Sequence, residues 1–154
     1  IEFVFIGNGS RRSDAEAAAA RLGAGVRIVF RDSVPETELA DAIAESDVVL
    51  GVFGTSPKAA SVIANKVWQG LAAGRIVVTR ESRALDEIRG IVGDQLVGVD
   101  PSEPAALAEA LIRIASDGAP VAEVGVAGAL DAYVDERYDQ FAAAWERTLH
   151  GTRG

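Results

Sequence analysis

Cysteine and methionine are absent from this chain of 154 residues, and histidine occurs once, as His150. Without thiols there is no disulfide framework and no thiolate chemistry, and the redox compartment stays open. One histidine near the C-terminus excludes a zinc centre or a His-based triad built within the chain. Positive charge is scarce as well: 15 Lys and Arg stand against 23 Asp and Glu, for a net charge of −8. Nucleic-acid binding needs a basic face for phosphates, so no nucleic-acid partner is expected. An acidic surface also suits anionic membranes poorly and serves solubility instead. Apolar runs are short, far below the roughly 20 residues that span a bilayer. No leader pattern is visible, and the expected location is the cytoplasm. Lacking an initiating methionine and opening directly on a strand-like run, the chain reads as a piece of a longer protein. The abundance of Ala, Gly, Val and Arg suggests a GC-rich bacterial genome.

What is present is a regular alternation. Apolar runs recur at Phe3 to Ile6, Val26 to Phe30, Val48 to Phe53, Ile76 to Thr79 and Gln95 to Val99. Several are apolar at consecutive positions, the mark of strands covered on both faces. Helical segments lie between them. Ser13 with Glu16, and Ser33 with Glu36, are spaced as capping boxes. The first box precedes an Ala-rich run ending at Gly23, and the second precedes Leu39 and Ile43. Ser82 is placed to cap a short helix carrying Leu85 and Ile88. Asp100-Pro101-Ser102-Glu103 opens one with Leu107, Leu111 and Ile114 on one face. The order predicts an α/β fold, a doubly wound, Rossmann-like parallel sheet of about five strands with helices on both faces. One domain is expected over residues 1–118, followed by a helical extension over 119–154. That extension holds one or two helices, Val121 to Val134 and Tyr138 to Leu149. Phe141, Trp145 and Leu149 form a stripe that reads as packing, on this domain or on a part of the protein not included here.

In open parallel sheets, ligands bind beyond the carboxyl ends of the strands. Gly7-Asn8-Gly9 follows the first strand, and two glycines let a phosphate approach backbone N–H groups. The third glycine of the dinucleotide fingerprint is replaced by Arg12. Asp32 follows the second strand, where a ribose-binding acid sits in nicotinamide enzymes; a solvated turn residue is the plainer reading. Arg11 and Arg12 flank the glycine loop and either meet a diphosphate or solvate a helix start. Gly54-Thr55-Ser56 after the third strand is either a sugar or phosphate contact or a turn closed by Pro57. Lys58 reads more simply as a surface lysine. Finally, Asn65 to Val78 predicts a helix that runs into a buried strand. Asn65 is the expected N-cap, Val67, Trp68, Leu71 and Ala72 the apolar face, and Gly74 the left-handed stop. Lys66 and Gln69 share another side near the helix start, where the dipole favours a phosphate.

Taken in order, these pieces resemble the C-terminal, donor-binding domain of the retaining glycosyltransferases of the group 1 family, which have the two-domain GT-B architecture. Phe3 to Gly9 is similar to the family's opening strand and glycine loop. Val26 to Phe30 with Val34 to Leu39, and Ala44 to Leu50, are similar to its next two strand regions. The segment Asn65 to Val78 is the most specific piece. The likeness covers about residues 1–116 well and the terminal helices more loosely. Of two family glutamates, the second falls on Gln69, which can still bond ribose hydroxyls; the first falls on Ser61, in place of the acid beside the donor sugar.

The resemblance implies a nucleotide diphosphate sugar as donor and an acceptor bound by the protein's own N-terminal domain. Any peripheral membrane contact would come only through that domain. Gly7, Asn8, Gly9, Asn65 and Lys66 would hold the diphosphate. Arg31, Ser33 and Val34 would meet the base, and Thr55, Ser56, Ser61 and Gln69 the sugars. No cofactor and no metal is expected, and no residue is assigned to catalysis. A non-catalytic nucleotide-binding or interaction module of the same fold is the main alternative, and a nicotinamide-binding oxidoreductase domain the third.

Overall fold

The computed structural model describes residues 1–23, 25–117 and 126–151. The described residues form five strands, β1 (Glu2–Ile6), β2 (Arg27–Arg31), β3 (Val48–Leu50), β4 (Ile76–Arg80) and β5 (Leu96–Val99). The helices are α1 (Arg12–Ala19), α2 (Glu36–Glu45), α3 (Pro57–Ala60), α4 (Asn65–Ala72), α5 (Asp86–Val92), α6 (Pro104–Asp117) and α7 (Val126–Gly151). Every strand pairing is parallel, and each needs a crossover connection. The mixed α/β class predicted from the sequence is what forms. The strands are hydrogen-bonded as two ladders, β1–β2 and β3–β4–β5, rather than as one sheet of five. The chain divides into two compact units, Ile1–Ala42 and Ile43–Gly154, with α2 running across the division.

In the first unit, β1 and β2 pair in register from Glu2 with Arg27 to Ile6 with Arg31. Phe5 lies opposite Phe30, and their rings stack with centroids 5.3 Å apart. Coverage on both faces does not hold for β1, where Val4 and Phe5 are exposed. The Ser13–Glu16 capping box does not form. The cap position of α1 is Arg11, and Glu16 instead accepts from Arg12 Nε at 2.8 Å. α1 also stops at Ala19, short of Gly23. Nor does Ser33 cap α2; the Pro35 carbonyl accepts from Leu39 N–H one turn into the helix.

The second unit holds the core. All of Ile76 to Thr79 is buried, as the consecutive apolar run predicted. Val67, Leu71, Leu85, Ile88, Val92 and Leu96 pack around β4 with Val126 and Leu130 from α7. β3 ends at Leu50, earlier than the expected Phe53, yet its backbone stays tied to β4. Gly51 N–H donates to Val78 at 2.9 Å and Arg80 N–H to Val52 at 3.0 Å. The buried Thr79 hydroxyl adds two bonds of 3.2 Å, one from Val52 N–H and one to its carbonyl. Ser82 makes no side-chain cap, but its carbonyl starts the 3₁₀ turn Arg83–Leu85 that leads into α5. Asp100 holds Ser102 through its backbone N–H at 2.8 Å and its hydroxyl at 2.6 Å, ahead of α6.

The terminal helices expected over Val121 to Val134 and Tyr138 to Leu149 are a single helix from Val126 onward; residues 121–125 and the Leu149 side chain lie outside the described residues. α7 is fixed through its first half. Tyr133 stacks on Trp68, donates to Glu87 and accepts from Arg137 Nε at 3.1 Å. Further along, Phe141 and Trp145 stack on each other and are exposed rather than packed on a core.

Candidate functional site

In the first unit the candidate residues gather at the carboxyl end of β1. Gly7 has φ +136°, a backbone state that favours glycine. Its N–H donates to the Arg31 carbonyl at 3.1 Å, so the loop leaves β1 while still held to β2. Gly9 has ordinary φ, and a Cβ there would meet open space. The organiser is Arg12, about three-quarters buried. Its Nη1 faces the Gly7 carbonyl at 3.1 Å, Asn8 Oδ1 at 2.7 Å, the Arg31 carbonyl at 3.0 Å and Asp32 Oδ1 at 2.8 Å. Two protons serve four acceptors, so these bonds are shared. The Glu16 bond and the nearby carboxylates raise the Arg12 pKa, against a smaller opposing effect of desolvation. Arg11, by contrast, is fully outside and pairs with Asp14. Ser33 is exposed and Val34 half-buried, just beyond Asp32.

In the second unit the candidates follow β3. Ser56 caps α3, its Oγ accepting from Ala59 N–H at 3.2 Å. Ser61 closes the same helix, its hydroxyl donating to the Lys58 carbonyl at 3.1 Å. Pro57 occupies the first turn, so the turn reading of this loop accounts for Ser56, while Thr55 is exposed. Ala64, not Asn65, takes the cap position of α4 with extended backbone, because the Ala64 carbonyl already accepts from Val67 N–H. Asn65 is the first helical residue, and no side chain caps the helix.

Two glycines set how α4 lies on its sheet. A Cβ on Gly70 would come within 2.6 Å of Val77 Cγ2 and 3.0 Å of Val49 Cβ. A Cβ on Gly51 would meet Thr79 Oγ1 at 2.4 Å and Val67 Cγ2 at 3.3 Å. The first turn of α4 is thereby seated at the carboxyl ends of β3 and β4, and its later part runs down over Val49 and Val77. Gly70 joins Val67 and Leu71 on the buried face; the expected Ala72 is exposed. Gly74 does take the left-handed stop, with φ +69°. Its N–H donates to Leu71 and that of Arg75 to Gly70, both at 2.9 Å, which is a Schellman closure. Lys66 and Gln69 are both exposed, and Lys66 makes no ion pair among the described residues.

Arg80, which the sequence offers with Glu81 as a candidate position beyond the fourth apolar run, is the last residue of β4 and lies beside this rim. It donates through Nη1 to the Gly54 carbonyl, and its charge helps to lower the Asp100 pKa, after the two Ser102 bonds. Among the described residues no group of three or more His, Cys, Asp or Glu side chains could hold a metal ion. No helix among them is long and apolar enough to cross a membrane.

Comparison with known proteins adds a family. The family described as Glycosyl transferases group 1 matches residues 1–117. Among curated proteins, 2-deoxystreptamine glucosyltransferase from Streptomyces kanamyceticus is 29% identical over 119 residues, covering 77% of this chain. The matched region spans only 29% of that relative's length. No solved structure matches.

Proposed function

The chain belongs to the group 1 glycosyl transferases, and from that premise we propose that it is the donor-binding half of a sugar-transferring enzyme. The donor is a nucleotide diphosphate sugar, and the acceptor sits on a separate N-terminal domain of the same protein. The transfer breaks the bond between the anomeric carbon and the diphosphate oxygen. It forms a bond to an acceptor hydroxyl, whose proton passes to the departing diphosphate, and the sugar keeps its anomeric configuration. Closing the cleft between the two halves orients the reactants and excludes water.

The observation that carries this reading is the seating of α4. Its uncapped first turn lies at the carboxyl ends of β3 and β4, with Lys66 exposed and unpaired among the described residues. Free backbone N–H groups, the positive end of the helix and an ammonium are the donors that a departing diphosphate needs. Such a set stabilises the leaving group without a metal ion, and metal-independent transfer is part of the proposal. Gln69, one turn further on, offers its amide to the ribose hydroxyls. The first unit, taken by itself, carries the other candidates: the loop at Gly7, Asn8 and Gly9 offers backbone to a phosphate, and Arg31, Ser33 and Val34 follow at the end of β2. Thr55 is the loop residue whose hydroxyl is left for the sugar. The name of the relative makes a glucose-bearing donor the first to try.

A non-catalytic nucleotide-binding module is favoured by one observation: the hydroxyl of Ser61, the residue that the resemblance sets where the family has an acid, is already committed to the Lys58 carbonyl. Calorimetric titration with UDP, GDP and ADP separates these readings when joined to a transfer assay on the complete protein. Binding of one nucleoside diphosphate with turnover supports the enzyme, binding without turnover supports the module, and binding of none refutes both.

A further inference from the structure

The Arg12 cluster bears on which nucleotides the first unit accepts. In dinucleotide-binding folds a third glycine follows the first two at this spacing, and an acid after the second strand binds the ribose hydroxyls. Here Asp32 occupies the acid's position directly after β2. Its carboxylate is engaged by Arg12 Nη1 at 2.8 Å, and Arg12 stands where the third glycine would be. The same nitrogen reaches the Gly7 carbonyl and Asn8 Oδ1. One side chain thus holds the loop and engages one oxygen of Asp32, whose side chain is otherwise exposed.

We propose that Arg12 is the positioning and specificity residue of this loop, occupying the third-glycine position and competing with a ribose for Asp32, which is otherwise exposed, so that the chain rejects dinucleotides such as NAD. The proposal deepens the donor-site reading and rests on it for the identity of the ligand the loop admits instead. Lysine is a poor replacement, because a point charge cannot span Glu16, Asp32, Asn8 and two carbonyls at once. Glycine is the informative replacement. Arg12→Gly completes the three-glycine fingerprint that Gly7 and Gly9 begin, and it releases Asp32.

The test is titration of the wild-type chain, Arg12→Gly and the double variant Arg12→Gly/Asp32→Asn with NAD, alongside amide spectra of the loop in Arg12→Lys. The expected result is no NAD binding by the wild type, at least tenfold tighter binding by Arg12→Gly, and loss of that gain in the double variant. In Arg12→Lys the amide resonances of Gly7, Asn8 and Gly9 should shift while those of β4 stay in place. NAD binding by the wild type, or a folded Arg12→Gly that binds NAD no better, overturns the proposal. Should Arg12→Gly fail to fold, unmoved loop resonances in Arg12→Lys overturn it and shifted ones uphold it. Failure of the wild type to bind any nucleoside diphosphate would refute the donor-site reading alone, since the NAD comparison does not depend on it.

Discussion

The indole of Trp68 and the phenol ring of Tyr133 stack with centroids 6.4 Å apart and planes inclined by 16°. Trp68 belongs to α4 and Tyr133 to α7, so the helix that carries Lys66 and Gln69 is braced from behind by the terminal helix. Tyr133 is itself held by Glu87 and lies under the Arg137 guanidinium, 5.1 Å from the ring centroid. Trp68→Ala should destabilise the chain by about 2 kcal/mol, less than the ~3–5 kcal/mol of a fully buried aromatic because Trp68 is half-buried. Chemical denaturation would measure it. Tyr133→Phe should cost less, since it keeps the stack and loses the Glu87 bond.

Gly70→Ala should be costly despite the better helix propensity of alanine. Its Cβ would lie 2.6 Å from Val77 Cγ2 and 3.0 Å from Val49 Cβ, both on strands that cannot easily recede. A loss of about 1–3 kcal/mol is expected from overpacking. Restoration by Val77→Ala in the same background would assign the loss to that contact.

Lys66→Ala and Gln69→Ala should leave stability almost unchanged, because both side chains are exposed. Lys66→Ala should weaken nucleoside diphosphate binding about tenfold or more, the equivalent of one charge-assisted hydrogen bond, and Gln69→Ala about fivefold, that of a neutral one. Calorimetry and a thermal melt on the same samples separate the two effects.

The hydroxyl and backbone N–H of Ser102 hold the Asp100 carboxyl below its ordinary pKa. A depressed folded value means that the stabilisation is fully present above the unfolded pKa near ~4 and is lost as pH falls through the folded value. Asp100→Asn should therefore melt below the wild type at pH 6, and the gap should close at the acid end of a pH series of melts.

The strands and the stop at Gly74 were legible because they are local: apolar runs bounded by glycine and polar residues. The buried run Ile76 to Thr79 needed nothing else. Caps were less legible, since several backbone and side-chain partners compete for each helix start. Ser13 lost its role when Glu16 took Arg12, and Asn65 lost its role when the Ala64 carbonyl began the helix one residue earlier. The split into two ladders depends on which strands meet across long intervals, which periodicity does not encode. Among the candidates, the exposed places of Lys66 and Gln69 could be read from their helix. The several bonds of Arg12 could not, because its partners come from three segments of the chain.

α4 alternates its duties by residue. Val67 and Gly70 meet the strands, whereas Lys66 and Gln69, each next to one of them, meet solvent. Variation can therefore explore recognition without eroding the scaffold. A library randomised at positions 66 and 69, with 67 and 70 fixed, should yield mostly folded members and, on the donor-site proposal, diverse nucleotide preferences, which makes this single turn of helix a natural place to redirect binding.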